Sequence, residues 1–138
     1  MKNRNLEHKN DWMTPEYILK PLREEFWEMF DPCPFTHDIE KWDGLKIDWQ
    51  QVNFINPPYS LDLKVAFVKK AIEESKKGKT CIMLLPVSTS TKLFHEDILP
   101  NKKEIRFLKS RVKFSGWNTK GEWVDNKCGM HDSMIVIL

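Results

Sequence analysis

Val52-Asn53-Phe54-Ile55 runs directly into Asn56-Pro57-Pro58-Tyr59. The first four residues have the composition of a short strand. The prolines must end that strand, because proline has no N–H for the ladder and disfavours helix at the preceding residue. Asn56 is therefore predicted at the carboxyl tip of a strand, where ligands bind in open α/β sheets.

We call the segment Asn56-Pro57-Pro58-Tyr59 the tip motif. Its residues together can bind an amino group and the flat base that carries it. The Asn side-chain oxygen and a proline carbonyl can both accept from an exocyclic amino group, and the Tyr ring offers a face to a flat base. Methyl transfer to an amino nitrogen of an unstacked base needs these groups. Pro-Pro-Tyr alone is also common in turns and polyproline segments, so the context has to support this interpretation.

The residues after the tip motif supply that context. Ser60 is a good N-cap, apolar side chains then recur at helical spacing, and the helix is predicted to stop at Lys76-Lys77-Gly78. Strand, tip motif and helix follow in the order that a ligand-binding α/β unit requires.

The remaining pattern predicts one domain over residues 11–138 behind a flexible tail at 1–10. Thr14-Pro15-Glu16 is a typical helix start, and Pro21 should kink or split that helix near residue 20. The other predicted elements are a short strand ending at Asp31, a buried strand over 79–85, a short helix reaching about Ile98, strands over 104–108, 111–114 and 133–138, and a long loop over 115–132.

Composition narrows the possible classes. The 138 residues suffice for a real core, and 22 basic against 20 acidic side chains give a net charge of only +2. The longest apolar runs are far shorter than the ~20 residues that span a bilayer, so no membrane is expected. Three cysteines without C-x-x-C spacing, and no secretory signal, predict a reduced cytoplasmic setting, which is the bacterial host's if a phage encodes the chain.

Two cysteine–histidine pairs, Cys33 with His37 and Cys128 with His131, are candidates in the sequence for a zinc site. Neither pair has the spacing of a zinc finger or ribbon, so no metal is predicted.

Basic residues crowd one stretch near the C-terminus, where Lys109, Arg111 and Lys113 alternate with Ser110 and Val112. A strand would place the three cations on one face, which suits contact with DNA phosphates. A solvated edge strand protected by lysines is an equally good interpretation.

Several motifs together resemble the phage-associated DNA N6-adenine methyltransferases, the compact Dam-like group. They occur in the same order from residue 11 to the end: Asp11-Trp12-x-Thr14-Pro15, Asp31-Pro32-Cys33-Pro34, Asp43-Gly44-Leu45, the tip motif with Ser60, Leu84-Leu85-Pro86, Phe94-His95, Glu104-Ile105-Arg106-Phe107 and Ser133-Met134-Ile135-Val136. The resemblance implies transfer of a methyl group from S-adenosylmethionine to adenine N6 in DNA. It also implies a Rossmann-like fold with a mostly parallel sheet and an antiparallel C-terminal edge. That sheet should be reduced, because only 24 residues separate Asp31 from Asn56.

The resemblance also assigns roles to residues. Asp31, with Pro32 and Cys33, would receive the methionine ammonium of the cofactor, and Trp12, Thr14 and Pro15 would lie against its carboxylate. Asp43 would contact the adenosine portion, with Asp48 as its rival. The tip motif would be catalytic, with Asn56 and the Pro57 carbonyl holding the amino group and Tyr59 stacking on the base.

DNA is the expected partner. The predicted contacts are Lys109, Arg111 and Lys113, together with Trp117, Lys120 and Trp123 of the 115–132 loop. The alternative for that loop is a surface segment whose tryptophans pack on the core.

Other functions stay open at this level. An N4-cytosine or protein-glutamine methyltransferase would use the same tip motif, and a non-catalytic DNA-binding or decoy module could keep the fold without turnover. The DNA target, the preference for double or single strands and the oligomeric state are not determined by the sequence.

Overall fold

The strand predicted before the tip motif is β2 (Val52–Ile55), and β3 (Thr80–Pro86) pairs with it in parallel. β7 (Ser133–Ile137) pairs antiparallel with β3, and β4 (Glu104–Phe107) pairs antiparallel with β7. These strands form the central sheet, in the order β2-β3-β7-β4.

A smaller outer sheet contains β1 (Trp12–Met13), β5 (Lys113–Trp117) and β6 (Trp123–Cys128), in the order β1-β5-β6. All of its pairings are antiparallel, and the register shifts between Phe114 and Gly116 where β5 meets β6. The computed structural model describes residues 12–34, 43–58, 60–117 and 120–138, and the predicted tail lies outside them.

Two helices flank the central sheet, α1 (Glu16–Phe26) and α2 (Leu61–Lys76). A π-helical turn over Leu93–Ile98 leads into the short α3 (Leu99–Asn101). The described part of the chain has no helix that is both long and apolar enough to cross a membrane.

The prediction of a mostly parallel Rossmann-like sheet was wrong. Among the described strands, the central sheet has one parallel pairing, β2 with β3, and its other two pairings are antiparallel. The predicted antiparallel C-terminal edge was also wrong, because β7 lies between β3 and β4. A sheet covered on both faces produces continuous apolar runs whatever the strand direction, so the apolar composition of β3 could not distinguish the two arrangements.

Three local predictions also need correction. The 115–132 segment was expected to be a loop, yet it contains the end of β5 and all of β6. Lys109 and Arg111 precede β5 and lie outside any strand, so no single strand face collects the basic stripe. α1 runs continuously through Pro21 and is not split there.

The core lies on both faces of the central sheet because neighbouring residues of a strand point to opposite sides. Phe54, Ile82 and Leu84 pack with buried residues of α1, whereas Ile55 and Met83 pack with buried residues of α2. The sheet is therefore rigidly enclosed, and the tip motif extends from its carboxyl edge.

Glu74 is a fully buried carboxylate of α2, within 2.8 Å of Lys70 and 2.5 Å of Lys79. Lys79 also donates to the Trp49 carbonyl oxygen at 2.7 Å, so the ion pairs connect α2 to the segment that enters β2. Burial alone would raise the pKa of Glu74. The hydrogen bonds from Lys70 and Lys79 outweigh that effect and lower the pKa from 4.5 to about 2.

We expect Glu74→Gln to destabilise the fold by about 3–5 kcal/mol, because two half-buried lysines lose their counter-charge. Urea unfolding at neutral pH measures the loss, and Glu73→Gln on the exposed side of the same helix is the matched control. The lowered pKa stabilises the fold above pH 4.5, and this contribution disappears as the pH falls toward 2. The stability gap between wild type and Glu74→Gln should therefore narrow over that range, and a pH-independent gap would contradict this account.

Candidate active site

Asn56 follows β2 directly, and its side chain contacts the strand and turn that precede α1. Its Nδ2 donates to the Trp12 carbonyl oxygen at 2.9 Å and to Thr14 Oγ1 at 3.0 Å. Because a backbone carbonyl can only accept, the nitrogen of the amide must face Trp12. The other amide atom, Oδ1, is thereby left to accept hydrogen bonds.

The rest of the tip motif is described in part. Pro57 is buried and Pro58 is half-buried, whereas Tyr59 lies outside the described residues. Ser60 occupies the N-cap position of α2 but makes no capping hydrogen bond, and its buried hydroxyl oxygen has no partner among the described residues. The predicted order of strand, tip motif and helix is confirmed.

Asp31 lies at the same edge as the tip motif. Phe30 forms a parallel bridge with Asn53 of β2, so the two chain segments run side by side toward this edge. Asp31 is exposed, and its Oδ1 accepts from the Cys33 backbone N–H at 2.8 Å. Pro32 and Cys33 are buried behind it. A short turn thus presents the Asp31 carboxylate to solvent on a firmly packed base.

Asp43 lies on a second turn that packs against the first. Its Oδ1 accepts from the Leu45 N–H at 3.0 Å, and the Trp49 indole donates to the Gly44 carbonyl oxygen at 2.8 Å. A Cβ atom on Gly44 would lie 2.0 Å from the Pro32 carbonyl oxygen. Glycine is needed here because the two backbones approach so closely.

Asp48, the rival of Asp43, lies elsewhere. Its carboxylate is 3.9 Å from Lys77, the C-cap residue of α2, and its side chain is 89% exposed. That end of α2 is opposite to Ser60 and the tip motif. The structure thus separates the two candidates, with Asp43 beside the Asp31 turn and Asp48 remote from it.

Thr14 and Pro15 lead from β1 into α1. Pro15, not Thr14, is the N-cap residue, and the Thr14 hydroxyl accepts from Asn56 instead of capping the helix. The first turn of α1 is directed toward the same region, and its N–H groups carry the positive end of the helix dipole.

Beside Trp12, a cavity of about 270 Å³ opens between the two sheets. Pro86 at the end of β3 and Ser133 at the start of β7 line it from the central sheet, and Phe114 and Lys127 line it from the outer sheet. The Lys127 ammonium lies 5.6 Å from the centre of the Trp12 ring. This space, the Trp12 cavity, is near the lower limit of about 300 Å³ for small-molecule sites and suits one planar group.

The predicted DNA-contacting residues fall in different places. Trp117 and Trp123 face each other across the hairpin of β5 and β6, with ring centres 5.3 Å apart in an edge-to-face contact, and Lys120 lies in the turn between them. Both rings are partly exposed and pack on each other. Arg111 is 3.8 Å from Asp132, next to a wall of the Trp12 cavity.

Sequence reasoning missed Lys127, which lines the Trp12 cavity, and weighed His131 only as a zinc ligand although it lines the same cavity. In β6 the apolar pair Trp123-Val124 is followed by the polar run Asp125-Asn126-Lys127, so no apolar alternation marks it as a strand. Phe114 pairs with Lys127 across the hairpin, and that pairing brings the lysine to the cavity. The basic charge of residue 127 was visible in the sequence, but its neighbours were not.

Metal-ligating or nucleophilic chemistry finds little support in the described residues. They contain no cluster of three or more His, Cys, Asp or Glu side chains that could hold a metal ion, and His37 of the considered zinc pairs lies outside them. Burial raises the pKa of the Cys81 thiol to about 11, so this thiol stays protonated. The described residues at this edge can therefore act on a ligand through hydrogen bonds and charge.

Comparison with known proteins defines the class. The family model described as DNA N-6-adenine-methyltransferase (Dam) matches residues 2–138. The DNA N-6-adenine-methyltransferase of Haemophilus phage HP1 (strain HP1c1) is 34% identical over 135 residues, which cover 89% of this chain and 76% of the relative. No solved structure matches the chain.

The class is therefore that of DNA methyltransferases that act on an amino group. Within it, the chain belongs to the DNA N-6-adenine-methyltransferase (Dam) family. The expectations of a phage-type relative and of an adenine-specific DNA methyltransferase are confirmed.

We expect Gly44→Ala to push apart the two turns that carry Asp31 and Asp43, because the added methyl group meets backbone atoms that cannot rotate away. The measurable results are a lower melting temperature and weaker binding of S-adenosylmethionine. Gly129→Ala is the control, since its Cβ would come no closer than 3.4 Å to any neighbour. Equal cofactor affinity in both variants and wild type would show that the contact between the turns does not shape this site.

Proposed function

We propose that this protein transfers a methyl group from S-adenosylmethionine to adenine N6 in DNA, with Asn56 as the residue that holds the acceptor amino group. The observation that carries the proposal is the anchored Asn56 amide, whose nitrogen is bound to Trp12 and Thr14 and whose oxygen can accept. The family match over residues 2–138 supports the reaction and the substrate.

The tip motif would act by positioning and electrostatics. Asn56 Oδ1 and the Pro57 carbonyl would accept the two N6 hydrogens, which favours turning the nitrogen lone pair out of conjugation with the ring. Charge that develops on N6 would then be supported by two fixed acceptors. Tyr59 is proposed to stack on the base.

The cofactor would bind at the edge formed by the two acidic turns and the start of α1. The exposed Asp31 carboxylate suits an ammonium group, and the positive end of α1 behind Thr14 and Pro15 suits a carboxylate. Asp43 precedes Gly44, which lies against Pro32, and its carboxylate suits a ribose or an adenine edge. The donor set thus fits both charged ends of an amino acid, and the cofactor would supply the electrophilic methyl group.

The target adenine would enter the Trp12 cavity after leaving the duplex. The cavity adjoins Trp12, whose carbonyl oxygen binds Asn56, and its size suits one base. Lys127 at its wall and Arg111 beside it could neutralise phosphates next to the flipped nucleotide, with Lys109, Lys113, Trp117, Lys120 and Trp123 as further contacts. DNA as the substrate would place the protein in the cytoplasm of a bacterial host.

The function is tested with labelled S-adenosylmethionine and DNA, followed by digestion and analysis of the nucleosides. We expect label in N6-methyladenine. Label in N4-methylcytosine would reassign the acceptor. Label in protein would indicate glutamine methylation, and DNA binding without any transfer would indicate a non-catalytic module.

We expect Asn56→Ala to abolish methyl transfer while S-adenosylmethionine affinity stays within a few-fold, because Asn56 serves the acceptor base. Asp31→Ala should instead weaken the binding of S-adenosylmethionine by roughly 1.5–3 kcal/mol, the usual value of a charge-assisted hydrogen bond. Calorimetry and the transfer assay separate the two effects, with Asn101→Ala in α3 as control. Full activity in Asn56→Ala would remove the central role of the tip motif.

A further prediction concerns salt. Lys127→Gln should reduce the slope of log affinity against log salt by about 0.9 on double-stranded DNA, or about 0.7 on a single strand, if Lys127 neutralises one phosphate. Fluorescence anisotropy with one oligonucleotide measures the slope. Lys69→Gln changes charge equally on the exposed side of α2 and should leave the slope unchanged. Identical slopes for both variants would exclude Lys127 from the DNA surface.

A further inference from the structure

The carboxamide of Asn56 has one orientation that satisfies its surroundings. Its Nδ2 carries two hydrogens, and two acceptors stand at hydrogen-bond distance, the Trp12 carbonyl oxygen at 2.9 Å and Thr14 Oγ1 at 3.0 Å. A flipped amide would set Oδ1 against the Trp12 carbonyl, where neither atom can donate. The Trp12 carbonyl therefore excludes the flipped amide, and Thr14 holds the amide in place by accepting its second hydrogen.

The backbone around Thr14 is fixed on both sides. Trp12 pairs with Gly116 and Met13 with Ser115 on the strand before it. On the helix side, the Pro15 carbonyl oxygen accepts from Ile18 N at 3.1 Å. A hydroxyl held between a paired strand and a helix can position another side chain accurately, since its own backbone has little freedom.

We propose that Thr14 is a positioning residue for methyl transfer, because its hydroxyl fixes the Asn56 amide so that Oδ1 faces the acceptor amino group. This inference rests on the proposed function of Asn56. It gives Thr14 a second role beside its proposed position near the cofactor carboxylate. It also links the outer sheet to the acceptor site, because Trp12 belongs to β1, Thr14 follows β1 directly, and β1 pairs with β5.

The discriminating variants are Thr14→Val, which keeps the shape and removes the acceptor, and Thr14→Ser, which keeps the hydroxyl. Loss of one anchor lets the carboxamide rotate, and a misplacement of about 1 Å can cost roughly 100-fold in rate. We expect Thr14→Val to lower kcat about 10- to 100-fold, with KM for DNA and Kd for S-adenosylmethionine within about two-fold of wild type. Thr14→Ser should restore kcat to within a few-fold.

The split between kcat and binding separates positioning from other roles. Unchanged kcat in Thr14→Val would overturn the proposal. Weaker cofactor binding with full kcat at saturation would also overturn it and would assign Thr14 to the cofactor alone. A general structural defect would lower the fraction of protein that binds cofactor, and kcat is therefore expressed per binding-competent molecule.

A second measurement needs no turnover. The Asn56 side-chain amide is identified in a ¹⁵N-correlated NMR spectrum by its loss in Asn56→Asp. Thr14→Val should shift one of its two hydrogens and speed its exchange with water, whereas Thr14→Ser should preserve both signals. An unchanged Asn56 amide in Thr14→Val would refute the anchoring even if the wild type methylates DNA. Anchoring without methylation would instead refute the proposed function.

Discussion

The hydrogen bonds from Asn56 Nδ2 to Trp12 and Thr14 join the two sheets at the edge where the proposed site lies. Asn56 extends from β2 of the central sheet, and Trp12 belongs to β1, which pairs with β5 of the outer sheet. The same contacts set the direction of the Asn56 carboxamide and hold Trp12 next to its cavity. A two-stranded hairpin such as β5 and β6 is weakly stable alone, so its attachment through β1 matters for both fold and site.

The surroundings of the proposed site divide into a closely packed base and an exposed rim. On one side, buried Pro32 meets Gly44 so closely that no side chain fits between the two turns. On the other side, two apolar side chains are exposed, Trp123 in the hairpin and Met130 in the turn after it. A closely packed base suits a cofactor of constant shape, whereas exposed aromatic and basic side chains suit a polyanion with stacked bases.

Local chemistry explains which features were predictable. Two prolines end a strand wherever it pairs, so the tip motif and α2 followed from the sequence. Strand direction depends on distant partners, and for that reason the parallel-sheet prediction failed. β6 was missed because the order of its apolar and polar residues does not alternate, and its strand conformation depends on pairing with β5, whose register shifts near Ser115. Asp43 and Asp48 looked alike in sequence, and only the contact of Gly44 with Pro32 and of Asp48 with Lys77 separates them.

The most direct test of the account is the structure of a ternary complex with a non-reactive cofactor analogue and a short DNA duplex that the protein methylates. The account predicts an adenine outside the helix and in the Trp12 cavity, with its N6 within hydrogen-bond distance, about 3 Å, of Asn56 Oδ1. Asn56 Nδ2 should remain bound to Trp12 and Thr14. An adenine that binds elsewhere, or an Asn56 amide turned with Nδ2 toward the base, would contradict it.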